Sequence, residues 1–371
     1  MNEISLIILA AGNSTRFNTG VKKQFLRLGS DPLWLYATKN LSSFYPFKKI
    51  IIASNDVSYM KKFTKSYEFV EGGNTRAHSL KKALELVESE FVMVSDAARV
   101  MISKNLFDRL IENIDKADCI TPVLKITDTT LFNDQALQRE KIKLIQTPQI
   151  SKTKLLKKAL NQNLEFTDDS TAIKAIGGKI WYIEGEENAK KLTFKDDLKK
   201  LNLPKPSFEI FIGNGFDVHE FGQKRPLLLA GVLIHPSMGL KAHSDGDVLA
   251  HALSDAILGA AGLKDIGELY PDTDMKFKNA DSMKLLKQVY DKVKEVGFEL
   301  VNIDICVIAQ TPKLKDFKQA MEKNIAHTLN IEEFRVNVKA TTTEKLGFIG
   351  REEGIAVLSS VNLKYFDWTR L

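Results

Sequence analysis

The sequence predicts an α/β protein with two domains: a doubly wound domain, then an α+β domain whose helices cover one face of a sheet. Its 371 residues exceed a comfortable single domain. In the first half, near-continuous apolar runs alternate with helical patterns, which indicates a parallel sheet covered on both faces. The segment LNLPKPSFE (201–209) contains a Pro-x-Pro sequence that stiffens the chain and stops helix propagation. We therefore predict domains at 1–207 and 208–371.

The predicted elements of the first half follow a strand–helix order. Strand-like runs lie at 4–10, 49–54, 91–96, 118–124 and 179–185, and helical patterns lie at 75–87 and 103–114. The less regular stretch 125–147 is interpreted as an excursion from the sheet. Ligands of such sheets bind beyond the carboxyl ends of the strands, so motifs at those ends are the first candidates for a functional site.

The second half opens with the strand-like run FEIFIGNGFDVHEF at 208. Helical patterns follow at 247–261, 282–296 and 315–329, and strands fit at 227–234, 299–309, 334–340 and 354–364. Long helices between strands of this kind predict an α+β domain with its helices on one face of a sheet.

Composition and charge exclude several classes of protein. The chain is 44% hydrophobic and 27% charged, as globular proteins are. Residues 1–207 carry 33 Lys and Arg against 24 Asp and Glu, which suits a polyanionic ligand or reflects lysine-rich solvated faces. No basic run has interleaved aromatics, so nucleic-acid binding is not expected. The apolar run 4–11 is too short for a membrane span and unlike a signal peptide, and two distant cysteines fit a reducing cytoplasm.

The loop LAAGNSTRF (9–17) follows the first strand and has features of a phosphate site. Small residues at 10–12 let backbone N–H groups approach a phosphate chain, and Arg16 adds charge. Lys23, in KKQF, could join Arg16 in neutralising a pentavalent phosphorus. A tight turn without a ligand is the alternative interpretation.

A second glycine loop, GGNTRAHSL (72–80), opens a helix. Gly73 permits unusual dihedrals, and the polar residues after it can contact a base or ribose; a simple helix N-cap is the alternative. Asp96 ends an apolar strand in VSDAAR. That is a common position for a carboxylate that faces a metal–phosphate or a sugar hydroxyl, and also for a helix cap.

Together with TPQ, TDDSTA and KKLTFKDDL, these segments resemble the 2-C-methyl-D-erythritol 4-phosphate cytidylyltransferase family over nearly all of residues 1–200. The resemblance implies a Rossmann-like nucleotidyltransferase that converts CTP and methylerythritol phosphate to CDP-methylerythritol and pyrophosphate, with Mg²⁺ or Mn²⁺ on the phosphates. The implied CTP site comprises Ala10, Ala11, Gly12, Gly73, Asn74, Arg76 and Ser79. The implied catalytic residues are Arg16, Lys23 and Lys191, and the implied substrate contacts are Asp96, Arg99, Thr153 and Thr167.

The chain departs from the family pattern at four positions in this half. Ser14 stands where a second glycine is usual, and Lys22 and Val100 stand where prolines are usual. Thr153 stands where the family often has an arginine that positions the second substrate. A nucleotidyltransferase for another polyol phosphate, such as ribitol phosphate, is the alternative interpretation.

The second half places metal-ligating residue types at strand and helix spacing. Asp217 and His219, two apart on a strand, point to the same face and can converge on one ion. His251 lies in a helical pattern at the end of HSDGDVLAH (243–251). Two histidines with one aspartate and an open position are typical of catalytic zinc, and three unrelated polar residues are the alternative. His235, before a proline, is interpreted as a loop residue.

Three further runs offer ligands for phosphate, base and polyol. KATTTEKLGFIGREEG (339–354) has hydroxyls and backbone N–H groups for phosphate, and its Glu344 can hold a hard divalent ion. AQTPKLK (309–315) supplies a turn suited to a pyrimidine edge. DIGELYPDTD (265–274) adds acceptors for polyol hydroxyls.

With NGFDVHEF and AHSDGDVLAHALSDAILGAAGLKDIGELYPDTD, these runs closely resemble 2-C-methyl-D-erythritol 2,4-cyclodiphosphate synthase over 210–365. The resemblance implies that the terminal phosphate attacks the β-phosphorus of the CDP-linked substrate and that CMP leaves. The implied metal ligands are Asp217, His219 and His251 for Zn²⁺ or a similar divalent ion, and Glu344 for Mg²⁺ or Mn²⁺. The implied catalytic residues are His243 and Thr342, and the implied cytidine contacts are Ala309, Lys313, Thr341, Thr343 and Glu344. The implied substrate contacts are Asp217, His219, Ser244, Asp265, Ile266, Gly267, Asp272, Phe348 and Arg351.

The two resemblances agree on one pathway, the non-mevalonate route to isoprenoid precursors, and predict a cytoplasmic bifunctional enzyme. A kinase acts between the two steps, so channelling within this chain is not implied, although an assembly with that kinase is conceivable. Synthases of the second family are trimers with sites between subunits, so a homotrimer, or a hexamer if a dimeric first domain adds its interface, is expected. A non-catalytic, zinc-stabilised trimerisation module is the alternative for the second half.

Overall fold

The computed structural model describes residues 2–162, 166–271, 273–274, 276 and 280–371. It divides into two compact units, one of residues up to Lys205 with Thr369–Leu371, and one of Pro206–Trp368. The division lies in the same Pro-x-Pro segment in which the sequence analysis set the boundary after residue 207. Within the described residues, no helix has the length and apolar character needed to cross a membrane.

The first unit is built on a mixed sheet centred on the first strand of the chain. The strands of the whole unit are β1 (Ile4–Leu9), β2 (Arg27–Leu28), β3 (Asp31–Pro32), β4 (Lys49–Ser54), β5 (Glu68–Glu71), β6 (Phe91–Asp96), β7 (Cys119–Lys125), β8 (Leu131–Phe132), β9 (Gln135–Ala136), β10 (Lys143–Ile145), β11 (Gln149–Lys152) and β12 (Ile180–Glu184). The pairs β2–β3 and β8–β9 form separate two-stranded sheets. The strand order is β10–β7–β11–β6–β1–β4–β5, and β12 pairs with β7. β1 pairs in parallel with β4 and β6, so its apolar side chains are buried on both faces.

The strands predicted from apolar runs are confirmed, whereas β5, β10 and β11 were missed. β5 reads EFVE and β11 reads QISK, so neither gives an apolar run. β11 lies antiparallel between β6 and β7, and β10 is antiparallel to β7. One side of the sheet is therefore mixed, while the β6–β1–β4–β5 side is parallel.

Helices cover the sheet, and three of them begin at side-chain caps. They are α1 (Leu33–Ser42), α2 (Val57–Met60), α3 (Arg76–Glu85), α4 (Lys104–Glu112), α5 (Thr153–Leu160), α6 (Asp169–Ala175) and α7 (Asp196–Lys200). Thr75 accepts a hydrogen bond from the backbone N–H of His78 at the start of α3, and Ser103 accepts one from Leu106 at the start of α4. Both predicted helices of this half are thus confirmed.

Of the predicted excursion 125–147, Lys143–Ile145 instead belong to the sheet as β10, and what leaves the sheet is the segment 126–142. Its strands β8 and β9 form a hairpin through Asn133 and Asp134, which both have positive φ, as a tight two-residue hairpin turn requires. Leu131 and Phe132 are 60% and 66% exposed. The hairpin therefore presents an apolar surface in the single chain.

The second unit is an α+β layer, as predicted. Its strands are β13 (Ile210–Gln223), β14 (Leu227–Leu229), β15 (Val232–His235), β16 (Gly239–Leu240), β17 (Phe298–Ile308), β18 (Val336–Thr341) and β19 (Gly354–Tyr365). Its helices are α8 (Val248–Ala261), α9 (Ile266–Leu269), α10 (Ser282–Glu295), α11 (Lys318–Leu329) and α12 (Gly347–Gly350). The sheet order is β16–β13–β19–β17–β18. The predicted strand 227–234 is instead the hairpin β14–β15, because Ala230 and Gly231 both have positive φ and turn the chain.

The two faces of β13 have opposite surroundings. On the covered face, a Cβ at Gly213 would lie 2.0 Å from the carbonyl oxygen of Ala256, and one at Gly215 would lie 2.0 Å from that of Ala252. The backbones of β13 and α8 therefore touch along this line. On the other face, Ile210, Ile212, Phe216 and Val218, with Leu358 of β19, are between 41% and 69% exposed. That apolar sheet face lacks a covering layer within the described residues of one chain.

Gly215→Ala is expected to destabilise the second unit by about 3 kcal/mol, because the new methyl group must displace helix backbone rather than a side chain. Thermal unfolding followed by circular dichroism measures the effect. Gly259→Ala is the matched control: a Cβ there meets nothing within 4 Å, and alanine is the better helix former. An unfolding midpoint of Gly215→Ala equal to that of the parent chain would contradict the close approach.

Candidate active sites

A cavity of about 470 Å³ opens beyond the carboxyl ends of β1 and β6. Its lining residues are Leu9, Ala10, Ala11, Gly12, Asn13, Ser14, Thr15, Arg16, Phe17, Lys23, Gln24, Leu33, Asn55, Gly73, Asn74, Thr75, Arg76, Ser79, Asp96, Ala97, Ala98, Lys191 and Thr193. The structure thus brings together every implied CTP contact and every implied catalytic residue of this half. Arg99, Thr153 and Thr167 do not line the cavity.

Ser14 shows how the first loop keeps its conformation without the usual second glycine. Its φ is 55°, in the left-handed region that favours glycine. The side chain compensates, because Ser14 Oγ accepts a hydrogen bond of 2.9 Å from the backbone N–H of Lys23. Gln24 Nε2 donates to the carbonyl of Gly12 at 3.1 Å. Ser14 Oγ also donates to Gln24 Oε1 at 3.3 Å, so three hydrogen bonds join the loop to the KKQF turn.

Lys23 is a half-buried cation among other cations. Burial, then Lys191 and Arg16, lower the pKa of Lys23 to about 8. Its Nζ donates to the carbonyl of Leu192. The neighbouring Lys22, at a usual proline position, instead forms an ion pair of 2.8 Å with Asp56. Unlike Lys22, Lys23 keeps its charge directed toward the cavity.

Asp96 lies at the centre of a buried charge network. Arg76 Nε lies 3.4 Å from one of its carboxylate oxygens, and Lys191 Nζ lies 2.8 Å from the other. Burial alone would raise the pKa of Asp96, but Arg76 and then Lys191 outweigh it and lower the pKa to about 2. Arg76 also pairs with the fully buried Asp169 at 2.8 Å. The Arg76 guanidinium therefore lines the cavity and is also paired with two carboxylates.

Asp169 is the member of this network that the sequence analysis did not single out. It lies in TDDSTA, a quoted motif, but nothing in the sequence pairs it with an arginine 93 residues away. Of the implied substrate contacts, Arg99 donates to the carbonyl of Ala189 at 2.7 Å, and Thr167 is exposed. Thr153 is 4% exposed, so its hydroxyl at the start of α5 does not take the place of the usual arginine in this conformation.

The second unit has a cavity of about 240 Å³ near the start of α8. Its lining residues are His219, Ala242, His243, Ser244, His251, Ile266, Tyr270 and Leu285. Nε2 of His243 is buried and has no hydrogen-bond partner among the described residues. A polar atom in that position is available to a ligand.

Asp217, His219 and His251 converge as the strand spacing predicts. Asp217 Oδ2 lies 3.1 Å from Nε2 of His219 and 3.2 Å from Nδ1 of His251. One ligand atom from each residue lies within 4.8 Å of the others. Burial alone would raise the pKa of Asp217, but hydrogen bonds from the two histidines lower it well below its usual range. Two nitrogen donors and one carboxylate oxygen form a donor set that suits zinc.

His251 is oriented from its other ring nitrogen. Its Nε2 lies 3.0 Å from Ser282 Oγ and 3.1 Å from Ser244 Oγ. Ser282 Oγ in turn donates to Asp245 at 2.5 Å. Hydrogen bonds of this kind fix the ring orientation and leave Nδ1 facing Asp217. Asp247 caps α8 and also accepts from the backbone N–H groups of residues 230 and 231, so its role is structural.

The implied base-binding and phosphate-binding loops are separate from this cavity. Among the described residues, no member of 309–315 or 341–351 lines it. Thr342 donates to Glu344 at 2.8 Å, and Glu344 and Lys345 both have positive φ, which is strained for side-chain-bearing residues. Arg351 pairs with Glu353 at 2.6 Å. The other implied contacts lie as follows: Ala309 is buried, Lys313, Thr341 and Phe348 are exposed, and Thr343 donates to the carbonyl of Leu346.

The residues of 265–274 that were implied to contact the polyol do not all line the cavity. Ile266 lines the cavity, whereas Asp265 caps α9 by accepting from Glu268 at 2.9 Å. Gly267 lies in α9. Asp272 lies outside the described residues.

Comparison with known proteins identifies both halves. A family model described as 2-C-methyl-D-erythritol 4-phosphate cytidylyltransferase matches residues 4–203, and one described as YgbB family matches residues 210–364. The bifunctional enzyme IspD/IspF of Campylobacter jejuni is 84% identical over 371 residues, with 100% of both chains covered. The chain belongs to the bifunctional IspD/IspF family.

Further matches agree with this assignment. The bifunctional enzyme IspD/IspF of Campylobacter lari is 70% identical over the full length of both chains. The solved structure of the bifunctional IspDF from Campylobacter jejuni has a TM-score of 0.96 at 83% identity and covers 100% of each chain. The protein is therefore a bifunctional enzyme of the non-mevalonate pathway, with a cytidylyltransferase and a cyclodiphosphate synthase. Both enzyme families depend on divalent metal ions and act on small molecules.

Asp169→Asn is expected to destabilise the first unit by about 3 kcal/mol, because it leaves the charge of Arg76 with one of its two carboxylate partners removed. Urea unfolding measures the change. Asp31→Asn is the control, since the exposed Asp31–Lys39 pair contributes at most about 1 kcal/mol. An equal loss in the free energy of unfolding for the two substitutions would show that the buried pair stabilises the unit no more than the exposed pair does.

Proposed function

We propose that CTP binds in the 470 Å³ cavity with its triphosphate on the loop 10–16 and its cytidine on the loop 73–79. The small residues 10–12 line the cavity, and a Cβ at Gly12 would meet nothing within 4 Å, so backbone there is open to a ligand. The backbone N–H of Gly73 donates to Ser79 Oγ at 2.9 Å, which holds the second loop in shape. Asn74 and Arg76 complete the nucleotide side.

Arg16, Lys23 and Lys191 are the proposed transition-state groups. An oxygen of methylerythritol phosphate attacks the α-phosphorus of CTP, the bond to the β-phosphate breaks, and pyrophosphate leaves. Charge on the phosphate oxygens is largest in that transition state, and three convergent cations in a partly buried site stabilise it. Mg²⁺ or Mn²⁺, held mainly by the phosphates themselves, would supply further neutralisation.

Asp96 is the proposed anchor for the methylerythritol hydroxyls. Its depressed pKa keeps it ionised at neutral pH, so it accepts hydrogen bonds and does not donate them. The same carboxylate holds Lys191 at 2.8 Å. We place Arg99 and Thr167 on this side because Arg99 follows the cavity residue Ala98 and Thr167 precedes the buried Asp169 by two positions.

In the second domain, we propose that Asp217, His219 and His251 hold Zn²⁺ and that Glu344 holds Mg²⁺ or Mn²⁺. The donor set fits zinc, because one ligand atom from each of the three residues lies within 4.8 Å of the others. Zinc would polarise the β-phosphate of the substrate. The convergence of these three side chains is the observation that carries the proposal.

The chain's own groups then act on the CDP-linked substrate. A terminal-phosphate oxygen attacks the β-phosphorus, the bond to the CMP phosphate breaks, and the cyclodiphosphate closes. His243 and Thr342 are proposed to stabilise the charge that develops on the phosphate oxygens. Ser244, with residues 265–267, is proposed to orient the polyol, and the loops 309–315 and 341–351 to hold cytidine and phosphate.

We propose that these loops reach the cavity from a second copy of the chain. The apolar face of Ile210, Ile212, Phe216, Val218 and Leu358 is of the kind that oligomers cover, and a ring of three copies would bury it. The exposed β8–β9 hairpin offers the first domain a second interface, which would join trimers into a hexamer. Both cysteines are free, which fits the proposed cytoplasmic location.

The cytidylyltransferase activity is expected to fall at alkaline pH. The pKa of Lys23 is lowered to about 8, so the cation is present below that pH and is lost as the pH rises through it. The kcat/KM for CTP, followed by pyrophosphate release, should therefore decline above about pH 8. Bound CTP favours the cation, so kcat should decline at a higher pH than kcat/KM.

Lys23→Arg provides the comparison, because a guanidinium stays protonated throughout this range. A kcat/KM of the parent enzyme that is level up to pH 9.5, or a decline that persists in Lys23→Arg, would refute the assignment.

His243→Ala is expected to slow CMP release by at least about 100-fold while zinc remains near one ion per chain. Asp217→Asn, in contrast, should lower the zinc content together with the activity. Metal analysis and CMP release are measured on the same preparations. His235→Ala is the matched control: His235 is the last residue of strand β15, not the loop residue expected from the sequence, and it lies outside the cavity. Unchanged CMP release in His243→Ala would favour a non-catalytic module.

A further inference from the structure

The segment that carries His243 and Ser244 is held by an arginine that lies outside the motifs of the second half. Arg225 Nη1 donates to the carbonyl of Ser244 at 2.7 Å, and Nη2 donates to the carbonyl of Leu240 at 2.6 Å. We propose that Arg225 is a positioning residue for the cyclodiphosphate synthase reaction: it fixes the backbone between residues 240 and 244 and thereby places His243 and Ser244. This inference rests on the proposed roles of those two residues.

Two glycines make room for the arginine. A Cβ at Gly246 would lie 2.3 Å from Nη2 of Arg225, and a Cβ at Gly239 would lie 2.4 Å from its Cγ. Gly246 also has a φ of +80°, which other residues rarely adopt. The side chain of Arg225 therefore fits closely against backbone at both ends of the segment.

The chemistry requires arginine rather than any cation. Two carbonyl groups, four residues apart, are bound by two nitrogens of one planar fork, which the single ammonium of a lysine cannot reproduce. Nε of Arg225 is buried without a partner among the described residues, which opposes folding. The unpaired Nε thus offsets part of the stabilisation that the two hydrogen bonds provide.

His243 depends on this backbone support. Its Nε2 has no hydrogen-bond partner among the described residues. No hydrogen bond at this atom fixes the ring, so the position of the ring depends on the backbone that carries it. Ser244, in contrast, reaches His251 through Oγ at 3.1 Å, so a shift of its backbone would also disturb the wall of the cavity beside the metal ligands. A displacement of about 1 Å in such a group can cost about 100-fold in rate.

The test uses the full-length enzyme with Arg225→Lys and Arg225→Ala. We expect kcat for CMP release to fall at least about tenfold in both variants, with zinc content unchanged and with KM changed much less than kcat. Pyrophosphate release by the first domain is the internal control and should be unaffected. Arg335→Lys is the matched control, because Arg335 also donates to a backbone carbonyl, that of Val301 at 2.8 Å, away from the cavity.

A double-mutant cycle separates positioning from general damage. Gly246→Ala should lower kcat more in the parent enzyme than in Arg225→Ala, because the new methyl group displaces the guanidinium only where the guanidinium is present. The backbone strain at residue 246 is the same in both backgrounds and cancels from the coupling energy. Additive effects would overturn the proposal, as would a normal kcat in Arg225→Lys and Arg225→Ala or a loss of activity that follows loss of zinc. If Arg225→Lys is slow but His243→Ala is not, the proposed role of His243 fails instead.

Discussion

The close approach of β13 and α8 is the constraint on which the second active site depends. Gly213 and Gly215 have no side chains to separate the strand from the helix, so backbone meets backbone along two turns of α8. The same face of the strand continues to Asp217 and His219, and the same helix begins one turn before His251. With larger residues at 213 and 215, the helix would be held away from the strand. The histidine would then be out of reach of the carboxylate, so packing at one end of the strand sets the donor geometry at the other.

The first active site depends on charge rather than on close packing. Asp96 has Arg76 on one side and Lys191 on the other, and Arg76 is also paired with Asp169. Burial makes each unpaired charge costly, so the set is stable only when complete. The network orients Lys191 toward the cavity while Lys23 approaches it from the loop side. Cations that would repel one another are thus held together around one cavity.

Much of both sites was predictable because it follows from local rules. Apolar runs gave the buried strands, and a period of two gave the convergence of Asp217 with His219. What the sequence could not give depends on contacts between distant residues. Asp169 meets Arg76 across 93 positions, and Arg225 acts on backbone carbonyls, which leave no trace in residue identity. Strands β5 and β11 were missed because neighbouring strands, not their own composition, hold them in the sheet.

The strand β13 also limits how this gene can vary. On one face lie the exposed apolar side chains Ile210, Ile212, Phe216 and Val218. On the other face, Gly213 and Gly215 meet α8, and Asp217 and His219 belong to the candidate metal-ligand cluster. Exchanging one aliphatic residue for another on the outer face preserves this division. Inserting or deleting one residue before Asp217 does not, because it moves every following side chain to the opposite face. Phe216 and Val218 would then turn toward the helix, and the carboxylate and imidazole would turn toward the apolar surface. Over evolutionary time, this stretch should therefore accept substitutions while keeping a fixed length.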